Sequence, residues 1–284
     1  MSNEIPLPTA PMTLDGSSVL HTMFRVRWDR WHEADAQTRE TVVREAAEWL
    51  ARAESAGAGE QSAAFAMLGH KGDLMLVHFR PDFPSLLEAQ LQVRRLRLSH
   101  YLEITHSYVS VVELGLYEST RKLYEELGAK GMQPNTDEWD AAADEIIDRQ
   151  RKAMAARLYP EMPPAKYLCF YPMDKKRGEH KNWYSVDFAS RQRMMHEHGM
   201  IGRKYGGVVK QVISGSIGFD DWEWGVDLFA ESPLPFKQLI YEMRFDEASA
   251  DYALFGSFYI GIRVQADGLG ALLKGEGRQA VKSF

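Results

Sequence analysis

One order of elements is written twice along this chain, and that constrains its fold more than any other feature. Residues 19–28 alternate in the manner of a strand, with Met23, Arg25, Val26 and Arg27 in the run. Residues 38–53 place Val42, Val43, Ala46, Ala47 and Leu50 at helical spacing. Strands over 63–69 and 74–80 follow, split by the turn residues His70-Lys71-Gly72-Asp73. A helix over 86–101 and a strand over 108–114 close the first series. The second series repeats it: strand 166–173, helix 188–205, strands 208–214 and 222–230, helix 236–252, strand 257–264.

Strand, helix, strand, strand, helix, strand is the order of a ferredoxin-like unit, whose sheet buries one face under its two helices. The pattern therefore predicts an α+β chain of two ferredoxin-like repeats, over 18–117 and 166–284. The likeness is one of architecture, because the residues of the two halves do not match. Residues 1–17, rich in Pro, Ser and Gly, are expected to form a loose tail. The 118–165 connector reads as polar helix, with Asn135 and Glu138 spaced as a capping box before Trp139 and a stop at Pro160.

Composition narrows the classes. With 284 residues, 45% hydrophobic and 26% charged, the chain is of ordinary globular type. It contains no run of eighteen apolar residues and so no membrane span. Cys169 is the single cysteine, which excludes a disulfide framework and an all-cysteine metal site. The first residues are polar and acidic, without a signal pattern, and the expected location is the cytoplasm. A formal charge of −6 argues against nucleic acid as partner, while a local basic pocket remains compatible with it.

Common catalytic signatures are missing. Gly268-Leu269-Gly270 lacks the third glycine of a dinucleotide loop, and Gly215-Ser216-Ile217-Gly218 has the wrong spacing for a nucleophile elbow. Three segments stand out instead. In 191–203, His196 and His198 sit about 200° apart around a helix, so they cannot grip one metal together. His198 shares its stripe with Met194, Met195 and Ile201, which makes it either a satisfied core histidine or an axial ligand to a haem. In 166–177, alternation puts Tyr167, Cys169, Tyr171 and Met173 on one face with Lys175 in register beyond. That is either an edge strand running into a solvated basic turn or a phenol in a pocket that carries a cation. In 208–214, Gln211 points with Val209 and Ile213, and its amide needs a backbone partner or a ligand. The 13 Met, 12 Tyr and 7 Trp suit either a plain core or the lining of a porphyrin pocket.

Taken together and in order, several words resemble a known family. They are Tyr171-Pro172-Met173, Asn182-Trp183-Tyr184, Met194-Met195 with His198-Gly199, Gly202-Arg203, Gly215-Ser216, Asp220-Asp221-Trp222-Glu223-Trp224, and Tyr241-Glu242-Met243-Arg244-Phe245-Asp246-Glu247. They resemble the coproheme decarboxylases among the chlorite dismutase-like haem proteins, densely over 157–262 and thinly before that.

The resemblance implies two ferredoxin-like repeats joined as a dimeric α+β barrel, a homopentameric ring, and haem in the C-terminal repeat. It implies that iron coproporphyrin III (coproheme) is both cofactor and substrate. Hydrogen peroxide would oxidise it, two propionates would leave as carbon dioxide, and haem b would result, with a coproporphyrin ferrochelatase as the substrate donor. By motif, His198 would be the iron ligand and Tyr171 the residue whose radical takes a hydrogen from a propionate. Gln211 would lie near peroxide on the distal side. Arg157, Tyr159, Lys175 and Ser249 would hold propionates, and Met173 and Arg203 would complete the pocket. Arg157, Lys175 and Arg203 form a cationic set suited to carboxylates. Chlorite-degrading relatives carry a distal arginine where this chain has Gln211, which makes chlorite dismutation the lesser reading. The other alternative is a haem binder or regulator without turnover.

Overall fold

The computed structural model describes residues 5–282. The strands and helices of the first half are β1 (Thr13–Val26), α1 (Trp28–Glu33), α2 (Ala36–Glu54), β2 (Ser62–Met67), β3 (Leu74–Arg80), α3 (Phe83–Arg95) and β4 (Leu102–Gly115). The connector holds α4 (Tyr117–Ala129), α5 (Asp137–Ala153) and α6 (Ala155–Leu158). The second half holds β5 (Tyr167–Lys175), α7 (Phe188–Lys204), β6 (Lys210–Gly215), β7 (Trp224–Ala230), α8 (Leu234–Met243), α9 (Glu247–Ala250), β8 (Ala253–Phe255) and β9 (Tyr259–Val264). The repeated order of the sequence is present in both halves.

The sheet runs β7-β6-β4-β1-β3-β2-β9-β5-β8, and β5 also pairs with β7. Eight strands therefore close into an antiparallel barrel, with β8 as an extra strand on β5. Each half has the same internal order, β4-β1-β3-β2 and β9-β5-β7-β6, and the joints are β4 with β6 and β2 with β9. Alternation divides every strand between barrel interior and helix layer. Leu168 and Phe170 point inward among Val19, Met23, Phe65 and Phe229, while Cys169 and Tyr171 point outward under α8. The N-terminal half is covered in the same way, by Val42, Ala46 and Leu50 of α2 and Val93 of α3.

The interior also holds one buried polar tie that crosses between the halves. His21 Nε2 of β1 lies 2.8 Å from Asp227 Oδ1 of β7, and both side chains are inaccessible to solvent. The His21 ring stacks on Phe170 at 3.9 Å between centroids. Phe170 is the inward neighbour of Tyr171, so this pair braces the strands from which the outer layer is built.

Three expectations are corrected. The loose tail over 1–17 ends sooner, because β1 begins at Thr13 and extends the pairing with β4 to Thr13–Gly115. Ahead of it, the Met12 N–H donates to Thr120 Oγ1 and the Thr9 carbonyl accepts from Arg191. Residues 1–4 of that tail lie outside the described residues. Gly16 is needed there, since a Cβ would fall 2.1 Å from the Leu158 carbonyl oxygen as α6 crosses β1. The α5 cap is Thr136, whose hydroxyl accepts from the Trp139 N–H, and Asn135 takes a left-handed φ of 64° just before it. The helix expected over 236–252 breaks after Met243 and restarts at Glu247, capped by Asp246. That break proves decisive for the site.

Candidate active site

Strand β5 changes partner half-way. Its first residues, Tyr167–Phe170, pair with β9, and its last, Met173–Lys175, pair with β8. Pro172 stands at the gap, and having no N–H it could not have continued that ladder. The loop that crosses the gap comes close to it: Gly256 N donates to the Pro172 carbonyl at 2.8 Å, and a Cβ on Gly256 would meet Pro172 Cγ at 2.8 Å. Phe255 and Phe258, at the ends of this loop, pack on the outward ring of Tyr171, with centroids 5.8 and 4.6 Å away. Tyr171 is buried, and burial pushes its phenol well above the usual tyrosine range, so it stays protonated at neutral pH. Met173 follows on the same face, partly buried in the same cluster.

Helix α7 starts from Asp187, whose carboxylate accepts from the Ser190 N–H at 2.9 Å. It presents Met194 to the core and His196 to solvent, with His198 half-buried between them. His198 Nδ1 lies 3.0 Å from Asp246 Oδ2. A carboxylate can only accept, so Nδ1 carries the proton and Nε2 is the ring nitrogen left to meet a ligand. Burial works to raise the Asp246 carboxyl. The hydrogen bond and charge of His198, with the Ser249 N–H and hydroxyl, outweigh it and hold the group below the usual carboxylate range.

The α9 turn joins this histidine to β5. Asp246 caps it through Oδ1, which accepts from Ser249 N at 2.9 Å, and the Ser249 hydroxyl donates to Oδ2 at 3.1 Å. One residue earlier, the Ala248 carbonyl accepts from Lys175 Nζ at 3.1 Å. The Lys175 ammonium lies over the Trp183 ring, 4.3 Å from its centroid. No carboxylate lies within ion-pair distance of it among the described residues. Burial pulls its pKa down to about 8 against the opposing charges of Asp246 and Glu223. A buried ammonium without a counter-ion is costly and is best satisfied by an incoming anion.

Gln211 Nε2 makes a long contact of 3.4 Å to the Gly202 carbonyl, one turn beyond His198 on α7. A side chain at Gly202 would meet that amide at 3.3 Å. Gln211 thus faces the helix layer as alternation requires, while Lys210 is exposed.

Of the expected cationic set, Arg157, Lys175 and Arg203 make no contact with one another. Arg203 is exposed and turns back to the Gly199 carbonyl at 3.3 Å. Arg157 and Tyr159 are exposed beside Leu158, which packs with Leu14 and Leu116, and no hydrogen bond, ion pair or ring contact joins them to Tyr171, Lys175 or His198. Sequence reasoning missed Asp246, Glu223 and Trp183. The Glu223 carboxylate accepts from Lys175 N at 2.8 Å, and its own N–H donates to Asp174 at 2.7 Å. An Asp before a short helix is a readable cap signal, but its contact with a histidine 48 positions away is not.

The profile described as chlorite dismutase matches residues 39–264. The chain belongs to the chlorite dismutase-like family. It is 39% identical to the coproheme decarboxylase of Staphylococcus saprophyticus over 93% of its own length and 98% of that protein. It is 43% identical to an inferred heme-binding protein of Haloquadratum walsbyi over 94% of the chain, but spans only 47% of that longer relative. Among solved structures, a heme-binding protein from Thermus thermophilus covers 96% of the chain and is itself covered fully, at 38% identity and a TM-score of 0.78. The chlorite dismutase of Candidatus Nitrospira defluvii shares the fold at 17% identity, with a TM-score of 0.66 over 92% of this chain and 96% of its own. In this family member the donor set fits a macrocyclic iron. His198 offers it one oriented nitrogen at Nε2, the single side-chain ligand such a group would take from the protein.

Proposed function

We propose that this chain binds iron coproporphyrin III between α7 and the outer face of β5 and, with hydrogen peroxide, converts two of its propionates to vinyl groups to give haem b. The observation that carries the reading is the α9 turn, which ties His198 Nδ1 through Asp246 and Lys175 Nζ through Ala248. An iron ligand on α7 and a carboxylate receptor on β5, the strand that carries Tyr171, are thereby tied to one turn. The name of the Staphylococcus relative supports the same reaction.

Each step balances as one propionic acid side chain and one peroxide giving one vinyl group, one carbon dioxide and two waters. The bound iron macrocycle supplies the oxidising equivalents, and the protein supplies placement. His198 Nε2 holds the iron, with Asp246 fixing the ring and raising its basicity. Lys175 receives a propionate carboxylate and fixes its position relative to Tyr171. Tyr171, protonated at rest, gives up its proton together with an electron and regains both as a hydrogen atom from the propionate β-carbon. The remaining electron leaves as the carbon–carboxylate bond breaks. Gln211 orients peroxide through its amide once its long contact with Gly202 opens. Arg157, Tyr159, Arg203 and Ser249 are proposed for the other carboxylates, with Met173 lining the ring. We assign a homopentamer, a coproporphyrin ferrochelatase as donor and the cytoplasm as the setting of this reaction.

The test is mass spectrometry of the porphyrin after peroxide titration of the loaded chain. Stepwise loss of carbon dioxide with two hydrogens at each of two propionates is expected. Unaltered coproporphyrin, or bleaching without vinyl product, would leave the second reading, haem binding without turnover, which the names of the Haloquadratum and Thermus relatives favour.

A further inference from the structure

Beyond Lys175 the chain forms a pinned hairpin. Lys176 N donates to the Tyr252 carbonyl at 2.7 Å, and its own carbonyl accepts from Trp183 N at 2.9 Å. Arg177 bridges to Asn182, and Gly178 N donates to the Lys181 carbonyl at 3.1 Å, leaving Glu179 and His180 at the tip. Between this hairpin and Leu254, which is 45% exposed, lies an open cleft of about 460 Å³. Its inner end is Lys175, so it is continuous with the site described above.

Most of the charge in the cleft is already matched. Arg177 lies 3.7 Å from Glu223, and Lys181 pairs with Asp251 at 2.6 Å. Asp174 is engaged by the Glu223 N–H. Lys175 and Lys176 are different, since neither has a carboxylate partner among the described residues. One of these ammoniums is buried at the inner end and the other is half-exposed at the rim. A pair of unmatched cations beside the exposed Leu254 suits an apolar ring with carboxylates on its edge. Such a ligand would otherwise be repelled by a chain of net charge −6.

We infer that this cleft is an encounter subsite, in which Lys176 first captures a peripheral carboxylate of an anionic tetrapyrrole that then passes inward to Lys175 and seats beside His198. The inference rests on the proposed ligand and adds its route and a steering residue. Lys176 touches no reacting atom, so it governs arrival and not chemistry.

Stopped-flow association of iron coproporphyrin III with the full chain tests it, comparing the parent with Lys176→Glu and Lys176→Arg. At low ionic strength the Glu variant should associate about tenfold more slowly and the Arg variant near the parent rate. The difference should vanish near 1 M salt, where the screening length is about 3 Å. The dissociation rate and the vinyl product at saturating porphyrin should be unchanged. Haem b, with two carboxylates fewer, should show a smaller effect. Association of the Glu variant at the parent rate at every salt concentration overturns the inference. So does a defect confined to capture of an acidic protein. Should the Glu variant fold poorly, Lys176→Gln with the parent's own salt dependence decides, and a salt-independent parent rate is equally fatal. Failure of the parent to bind iron coproporphyrin would instead remove the proposed function.

Discussion

His198 Nδ1 and Asp246 Oδ2 are 3.0 Å apart although 48 positions separate them in sequence, and the carboxylate that orients the ring is also the cap of α9. One side chain therefore sets the ring's tautomer, its rotation and the position of the Ala248 carbonyl that holds Lys175.

Asp246→Asn should separate these roles, because an amide oxygen can still cap α9 while the negative charge is lost. Iron-porphyrin affinity should fall about 10- to 100-fold, with little change in thermal midpoint. His198→Ala should abolish axial ligation, and His196→Ala, exposed on the other side of α7, should be silent. Visible spectra of the loaded variants read all three.

Tyr171→Phe should bind iron coproporphyrin about as tightly as the parent, since its ring packing on Phe255 and Phe258 persists. It should form no vinyl product, because phenylalanine offers no removable hydroxyl hydrogen. Peroxide should then bleach the porphyrin. Normal product from this variant, by mass spectrometry, would show that another tyrosine such as Tyr159 or Tyr184 is used.

Lys175 gives a pH dependence whose sign follows from burial. Its pKa of about 8 lies below the unfolded value of 10.5, so the unfolded chain binds more protons between those values. Stability of the ligand-free protein should therefore rise as pH increases from about 8 to 10.5, and carboxylate binding should weaken over the same range as the ammonium is lost. Lys175→Met should abolish both trends. Chemical denaturation and porphyrin titration across that range measure them.

The His21–Asp227 pair is inaccessible and joins the two halves inside the barrel. Asp227→Ala should cost about 1–3 kcal/mol by leaving a buried hydrogen-bonding ring nitrogen without its partner. Replacing both, as His21→Leu with Asp227→Leu, should cost less than the sum of the single changes. Urea unfolding of the two singles and the double gives the coupling, and strict additivity would sink the pairing.

The sequence by itself determined the repeated α+β order, the outward face Tyr167–Cys169–Tyr171–Met173 and the opposite facing of His196 and His198. These follow from periods of two and 3.6 residues, which are local properties of the backbone. It also carried the words that place the chain beside its relatives. It misjudged the start of β1 and the break between α8 and α9, because a strand is held by its neighbour's ladder and a helix break by a cap. Only the tertiary structure decided that β4 with β6 and β2 with β9 are the joints of the barrel, that Asp246 holds His198, and that Lys175 is buried without a carboxylate partner while Arg157 and Arg203 are exposed. Those facts depend on which side chains meet across long separations, and burial and pairing energies are set at that meeting and not along the chain.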